Sequence, residues 1–173
     1  MQTTFSSSRI LQPVRPWFIF FSLIVAALLN FLPTAQWPVM PDWVALVLCF
    51  WSVREFRRVG MGWAFMLGLL MDVADGSVLG QHCFAYVLLA YVSAALSRRF
   101  LWFPLAQQAV QVMPLLVATQ LVQVLMRMAV GADFPGWDFF IGPLIATLLW
   151  IPATFLLLLP QYQPEEQNPD RPI

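Results

Sequence analysis

Two aspartates stand inside an apolar stretch that reads Gly68-Leu69-Leu70-Met71-Asp72-Val73-Ala74-Asp75-Gly76-Ser77-Val78-Leu79-Gly80. Ionisable groups at membrane depth are costly and mark functional candidates by default. Asp72 and Asp75 are three apart and share a helical face, but paired carboxylates alone are weak grounds for acid–base catalysis. Gly68, Asp72, Gly76 and Gly80 recur every four residues, which on one helix would make a face of small residues suited to close helix packing. Asp75-Gly76-Ser77 is equally turn chemistry. The expected arrangement is a helix from about Met61 ending near Asp75, then a tight loop. Asp72 then sits in the last turn near the outer surface. Two roles stay open for it: a capping and packing group, or a direct contact with a ligand or partner.

No catalytic set emerges elsewhere. His82 is the only histidine, so no histidine-based metal cluster forms. Cys49 and Cys83 lie in apolar stretches at a spacing that fits no zinc or redox pattern, and read as small buried hydrophobes. There is no phosphate-binding loop or dinucleotide fingerprint, and Gly60-Met61-Gly62 is a turn. No cofactor, metal or enzymatic activity is expected.

A second polar feature runs through Gln107, Gln108, Gln111, Thr119, Gln120, Gln123 and Arg127. The last four fall within an arc of about 100° on a helix. Such a stripe does not face lipid comfortably; it faces other helices, a cavity or a partner groove. Pro114 is expected to kink this helix, as are Pro143 and Pro152 in the next.

The elements that must hold these groups are dictated by composition. The chain has 173 residues, 60% hydrophobic and 10% charged, where soluble domains carry about 25% charge. With a mean hydropathy of +0.73, it is neither an ordinary soluble domain nor a disordered chain. Six apolar segments are read, at roughly 17–33, 42–57, 61–75, 82–97, 103–128 and 138–159. The expected architecture is an all-α integral membrane protein of six transmembrane helices, one domain over 1–160, with a disordered cytoplasmic tail over 161–173. A crossing needs about 20 apolar residues, so only the fifth and sixth segments are long enough unaided. Asp42 is expected to cap the second. Trp17, Trp37, Trp43, Trp63, Trp102 and Trp137 read as interfacial anchors.

All nine basic residues are arginine. Arg9, Arg15, Arg54, Arg57, Arg58, Arg98, Arg99 and Arg171 fall on one side of a six-span chain. Only Arg127 falls on the other, beside Asp42, Asp72, Asp75, Asp133 and Asp138. This asymmetry predicts both termini in the cytoplasm. The zero net charge leaves no basic field for nucleic acid. Segment one is expected to be retained, since Leu32-Pro33-Thr34-Ala35-Gln36 lacks a good small-residue cleavage site.

The order of several short motifs, over nearly the whole chain, resembles the MreD family of bacterial rod-shape-determining membrane proteins. They are Pro41-Asp42-Trp43 with Trp51, then Arg58-Val59-Gly60 and Gly62. The most specific block is Gly68-x-x-x-Asp72-x-x-x-Gly76-x-x-Leu79-Gly80, followed by Ala90-Tyr91, Gln107-Gln108-Ala109 and Trp150-x-Pro152. Asp75 departs from the family by standing where a serine is expected, and the tail is acidic where relatives often end basic.

The resemblance implies a non-enzymatic, multi-pass subunit of the cell-elongation machinery in the cytoplasmic (inner) membrane. It implies direct association with MreC. Through MreC it implies association with the MreB filament and with RodA and its penicillin-binding transpeptidase partner. It also implies a fold similar to the substrate-capturing subunits of energy-coupling-factor vitamin transporters. The candidate partner or structural motif residues are Arg58, Gly60, Gly68, Asp72, Gly76, Gly80, Gln120, Gln123 and Arg127. The flanking arginines set topology and contact membrane lipids or cytoplasmic partners. The alternative is a subunit that binds a small molecule or lipid, such as a vitamin-capturing component; Ala90 and Ala94 fit a small-residue coupling motif. On the scaffold reading, Asp72→Ala weakens partner association more than membrane insertion.

Overall fold

The computed structural model describes residues 14–32 and 40–161, and these are helical with no strand. Arg9, Trp37, Arg171, the exit of segment one beyond Leu32 and the tail from residue 162 lie outside the described residues. Six α-helices fall on the six apolar segments: α1 (Pro16–Asn30), α2 (Trp43–Arg54), α3 (Met61–Ala74), α4 (Gln81–Leu101), α5 (Leu105–Ala129) and α6 (Ile141–Leu158). A 3-10 turn, Trp137–Phe140, leads into α6, and another, Leu159–Gln161, follows it.

Each start has a local cause. Pro16 opens α1, where its fixed φ suits a helix and its missing N–H costs nothing. Asp42 caps α2 as expected, its carboxylate accepting from the Ala45 N–H at 2.9 Å. Arg54 occupies the last turn of α2, where cations meet the negative end of the helix. Pro143 stands in the first turn of α6, where no N–H is needed. It therefore starts that helix rather than kinking it as expected. Pro114 and Pro152 lie inside helices that continue through them.

Two helices form the centre. Every residue of α2 from Val44 to Val53 is buried, which is why it is apolar all round. The second is α4, which packs against α2, α3 and α5; α6 packs on α5, and α1 packs on α2 at the edge. The core is aromatic. Phe50 meets Trp51 at 4.9 Å and Trp150 at 5.9 Å between ring centroids. Trp51 donates its indole N–H to Ser22 Oγ at 2.8 Å, binding α1 to α2. These two core tryptophans contrast with Trp17, Trp63, Trp102 and Trp137, which are exposed as interfacial anchors would be.

Segment lengths differ from expectation in two places. Three helical runs are long and apolar enough to cross a membrane: Gln81–Leu101, Leu105–Ala129 and Trp137–Gln161. Segment four joins five and six because α4 continues through Arg98 and Arg99 to Leu101. A guanidinium can snorkel without breaking a helix. Conversely, α2 stops at Arg54 rather than near residue 57, and has only 12 residues. At about 1.5 Å per residue that is roughly 18 Å; with its surface covered by protein, it needs no full match to lipid.

Chain alternation gathers the end of α1 and the starts of α2, α4 and α6 with the ends of α3 and α5. This is the aspartate end, holding Asp42, Asp72 and Asp75. The opposite, arginine end carries Arg15, Arg54, Arg57, Arg58, Arg98 and Arg99.

Candidate functional site

The local sequence explains why Asp72 turns inward. The α3 helix ends at Ala74, and Gly76 and Gly80 then take φ of +58° and +103°, which other residues rarely adopt. The four-residue repeat is therefore split: Gly68 and Asp72 lie on α3, while Gly76 and Gly80 reverse the chain. Gly80 is the N-cap of α4 and has no side chain to cap it. Asp72 supplies the cap from across the loop. Its carboxylate accepts from the Gly80 N–H at 2.8 Å and the His82 N–H at 2.7 Å. It also contacts His82 Nδ1 at 2.9 Å and accepts from Ser77 Oγ at 3.2 Å. Asp72 is 1% exposed. An anion at a helix N-terminus meets both the free N–H groups and the positive end of the dipole.

Gly68 makes that contact reachable. A Cβ on Gly68 would lie 2.5 Å from Cys83 Cα and 2.6 Å from Cys83 N, so α3 and α4 touch backbone to backbone there.

A second, half-buried carboxylate ties three other elements. Asp42 Oδ1 accepts from Asn30 Nδ2 at 3.0 Å as well as capping α2, and Oδ2 accepts from Tyr86 Oη at 2.7 Å. The Trp43 N–H donates to Asn30 Oδ1 at 2.9 Å. Tyr86 is fully buried. Tyr86→Phe strands this acceptor and is expected to lower stability by about 1–2 kcal/mol. Thermal unfolding in micelles measures it, and an unchanged midpoint would count against the bond.

Between these anchors lie two adjoining cavities. The larger, about 380 Å³, is lined by Asp75, Gln81, His82, Gln123 and Arg127 among others. The smaller, about 170 Å³, is lined by Asn30, Asp42, Asp75, His82, Gln120 and Gln123 among others. The α5 stripe thus splits by depth. Thr119 bonds back to the Leu115 carbonyl at 2.8 Å. Gln120 and Gln123 line cavity walls, and Arg127 reaches the rim. Asp75, just past α3, has its carboxyl raised above the usual range by partial burial. The nearby His82 opposes that shift, and Asp42 and Asp72 add to it.

The remaining candidates lie apart. Arg58, at the arginine end, donates from Nη1 to the Val14 carbonyl and stands 3.8 Å from Glu55 Oε2. It holds the start of α1 against the loop after α2. Gly60 is the N-cap of α3 in extended conformation, and a Cβ there would meet only ordinary contacts. Cys49 and Cys83 are buried free thiols, as expected.

Sequence reasoning missed Asn30 and Tyr86, read Ser77 only as turn chemistry and gave His82 no role. Their partners stand 5 to 44 residues away, beyond any helical or strand period. The available signal was modest: a polar side chain at the end of an apolar segment.

Comparison with known proteins identifies the relatives. A family model described as rod shape-determining protein MreD matches residues 8–159. The chain belongs to the MreD family. It is similar to the rod shape-determining protein MreD of Haemophilus influenzae, with 34% identity over 167 residues, covering 91% of this chain and 94% of that protein. No solved structure matches the chain. MreD membership supports a role in rod-shape determination, and with three span-length helices it marks a membrane protein.

Proposed function

We propose that this MreD-family chain is a non-enzymatic scaffold of the bacterial elongation complex, multi-pass in the cytoplasmic membrane, with both termini cytoplasmic. It binds MreC directly, and so couples the MreB filament to RodA and its penicillin-binding transpeptidase partner. The observation that carries this reading is family membership over residues 8–159. The arginine end supports the orientation, since basic residues are retained on the cytoplasmic side.

The geometry favours one docking face. The small face of α3 is occupied by α4 at Gly68, and the α5 stripe lines the open clefts at the aspartate end. What stays open is a groove of about 580 Å³ between α1 and α6, floored by α2 and almost wholly apolar. Phe21 and Val25 form one wall, Leu149, Ala153 and Leu156 the other, and Val47 the floor. A transmembrane helix of MreC fits such a groove, where association rests on packing rather than on water exclusion.

Depletion of the chain is expected to round rod-shaped cells. Ala153→Trp fills the groove, and is expected to reduce co-purification of MreC at least tenfold and to fail to restore rods, at unchanged membrane levels. Normal rods and normal MreC recovery in that variant would remove the groove from the reading. Rods that persist on full depletion would remove the reading itself.

A further inference from the structure

The cavities at the aspartate end carry binding capacity that the scaffold reading does not use. Gln81 is only 6% exposed, its Oε1 has no hydrogen-bond partner, and it lines the larger cavity. Gln120 Oε1 is likewise buried without a partner and lines the smaller one. Gln123 is 4% exposed, lines both, and makes no side-chain hydrogen bond with any described residue. Buried amides are normally satisfied, so an orphan oxygen in each of two adjoining cavities points to a group that supplies donors.

Charge narrows the ligand. Asp75, on the α3–α4 loop, and Arg127, in the last turn of α5, both line the larger cavity. Among the described residues Arg127 forms no ion pair, and Asp75 has only His82 Nε2, at 3.8 Å. Opposite charges held apart across a cavity suit a ligand that carries both. A guanidinium recognises a phosphate through paired N–H donors. A primary ammonium has three donors, and the larger cavity offers it the Asp75 carboxylate and the orphan Gln81 Oε1. Phe139 lines both cavities, and Phe134 and Trp137, in the segment leading into α6, are exposed with ring centroids 5.5 Å apart. Exposed aromatics at the ends of spans sit at headgroup depth.

We propose that the aspartate end binds a phosphoethanolamine zwitterion in the larger cavity, its phosphate on Arg127 and its ammonium on Asp75 and Gln81. The same chemistry is offered by a phosphatidylethanolamine headgroup and by the free, soluble headgroup. The site is independent of MreC docking, so either proposal stands if the other fails.

The test uses the full chain in nanodiscs containing phosphatidylethanolamine and phosphatidylcholine in equal amounts. Bound lipid is counted by native mass spectrometry. Choline has no N–H to donate, so ethanolamine lipid is expected to be retained at least tenfold over choline lipid. In Arg127→Ala and Asp75→Asn that preference is expected to vanish, while Arg99→Ala, at the opposite end, keeps it. Glycerophosphoethanolamine added to choline-only nanodiscs separates the sources: a raised unfolding midpoint shows that the headgroup suffices, and no change assigns the site to the lipid. Equal retention of the two lipids with no response to glycerophosphoethanolamine overturns the proposal. A preference that survives both site variants overturns it too. The wild-type comparison needs no variant to fold.

Discussion

Asp72→Ala is expected to lower the unfolding free energy by about 3–5 kcal/mol, and Asp72→Asn by less. The mechanism is specific. Removing the carboxylate leaves the buried His82 N–H and the part-buried Gly80 N–H without an acceptor. Each stranded donor costs about 1–3 kcal/mol. No neighbouring side chain replaces the cap, because Gly80 itself has none. Asn keeps an acceptor oxygen but turns an NH₂ toward other donors. Thermal unfolding in micelles measures the effect, expected as a drop of roughly 10 °C for the alanine variant. A shift under about 2 °C would show that Asp72 is not the cap that holds α4. The effect on partners is then indirect. The Asp72 carboxylate bonds its own chain, so on the proposed scaffold reading any loss of MreC binding in Asp72→Ala is expected to track lost fold. Restoring stability elsewhere is expected to restore it.

Some of this was legible in the residues and some was not. The six segments were readable because an apolar helix announces itself by composition over a long window, and six α-helices stand at those positions. The end of α3 was readable because Asp75-Gly76-Ser77 is local turn chemistry, and Asp42 as a cap depends only on Ala45, three residues on. Segment four was read too short because Arg98 and Arg99 looked like a stop, though nothing in an arginine ends a helix. The Asp42–Tyr86 bond joins residues 44 apart, and only the packing of α2 against α4 brings them together. Gly68 was readable as a small residue on a packing face, but not which helix it touches. The cavities were the least legible feature. They arise where Gln81 of α4 and Gln123 and Arg127 of α5 meet Asp75 from a loop, and no spacing encodes that meeting.

The closest backbone approach yields the second large effect. Gly68→Ala is expected to cost about 3 kcal/mol, although alanine favours a helix over glycine by about 1 kcal/mol. The added methyl would sit 2.5 Å from Cys83 Cα and 2.7 Å from the His82 carbonyl carbon. Both are backbone atoms of α4, so no side chain can swing aside and the helices must part. Overpacking of a close-packed contact typically costs 1–3 kcal/mol, occasionally more. Gly62 supplies the control on the same helix: a Cβ there meets nothing within 4 Å. Gly62→Ala is therefore expected to be neutral or stabilising by up to about 1 kcal/mol. If both variants unfold alike, the close approach is not what α3 requires. The displacement also reaches the cap. Moving α4 away from α3 lengthens the bonds from Asp72 to Gly80 and His82, so the two sites share one structural unit. Gly68→Ala combined with Asp72→Ala is then expected to cost less than the sum of the single changes. Strict additivity would mean that the helix contact and the cap act independently.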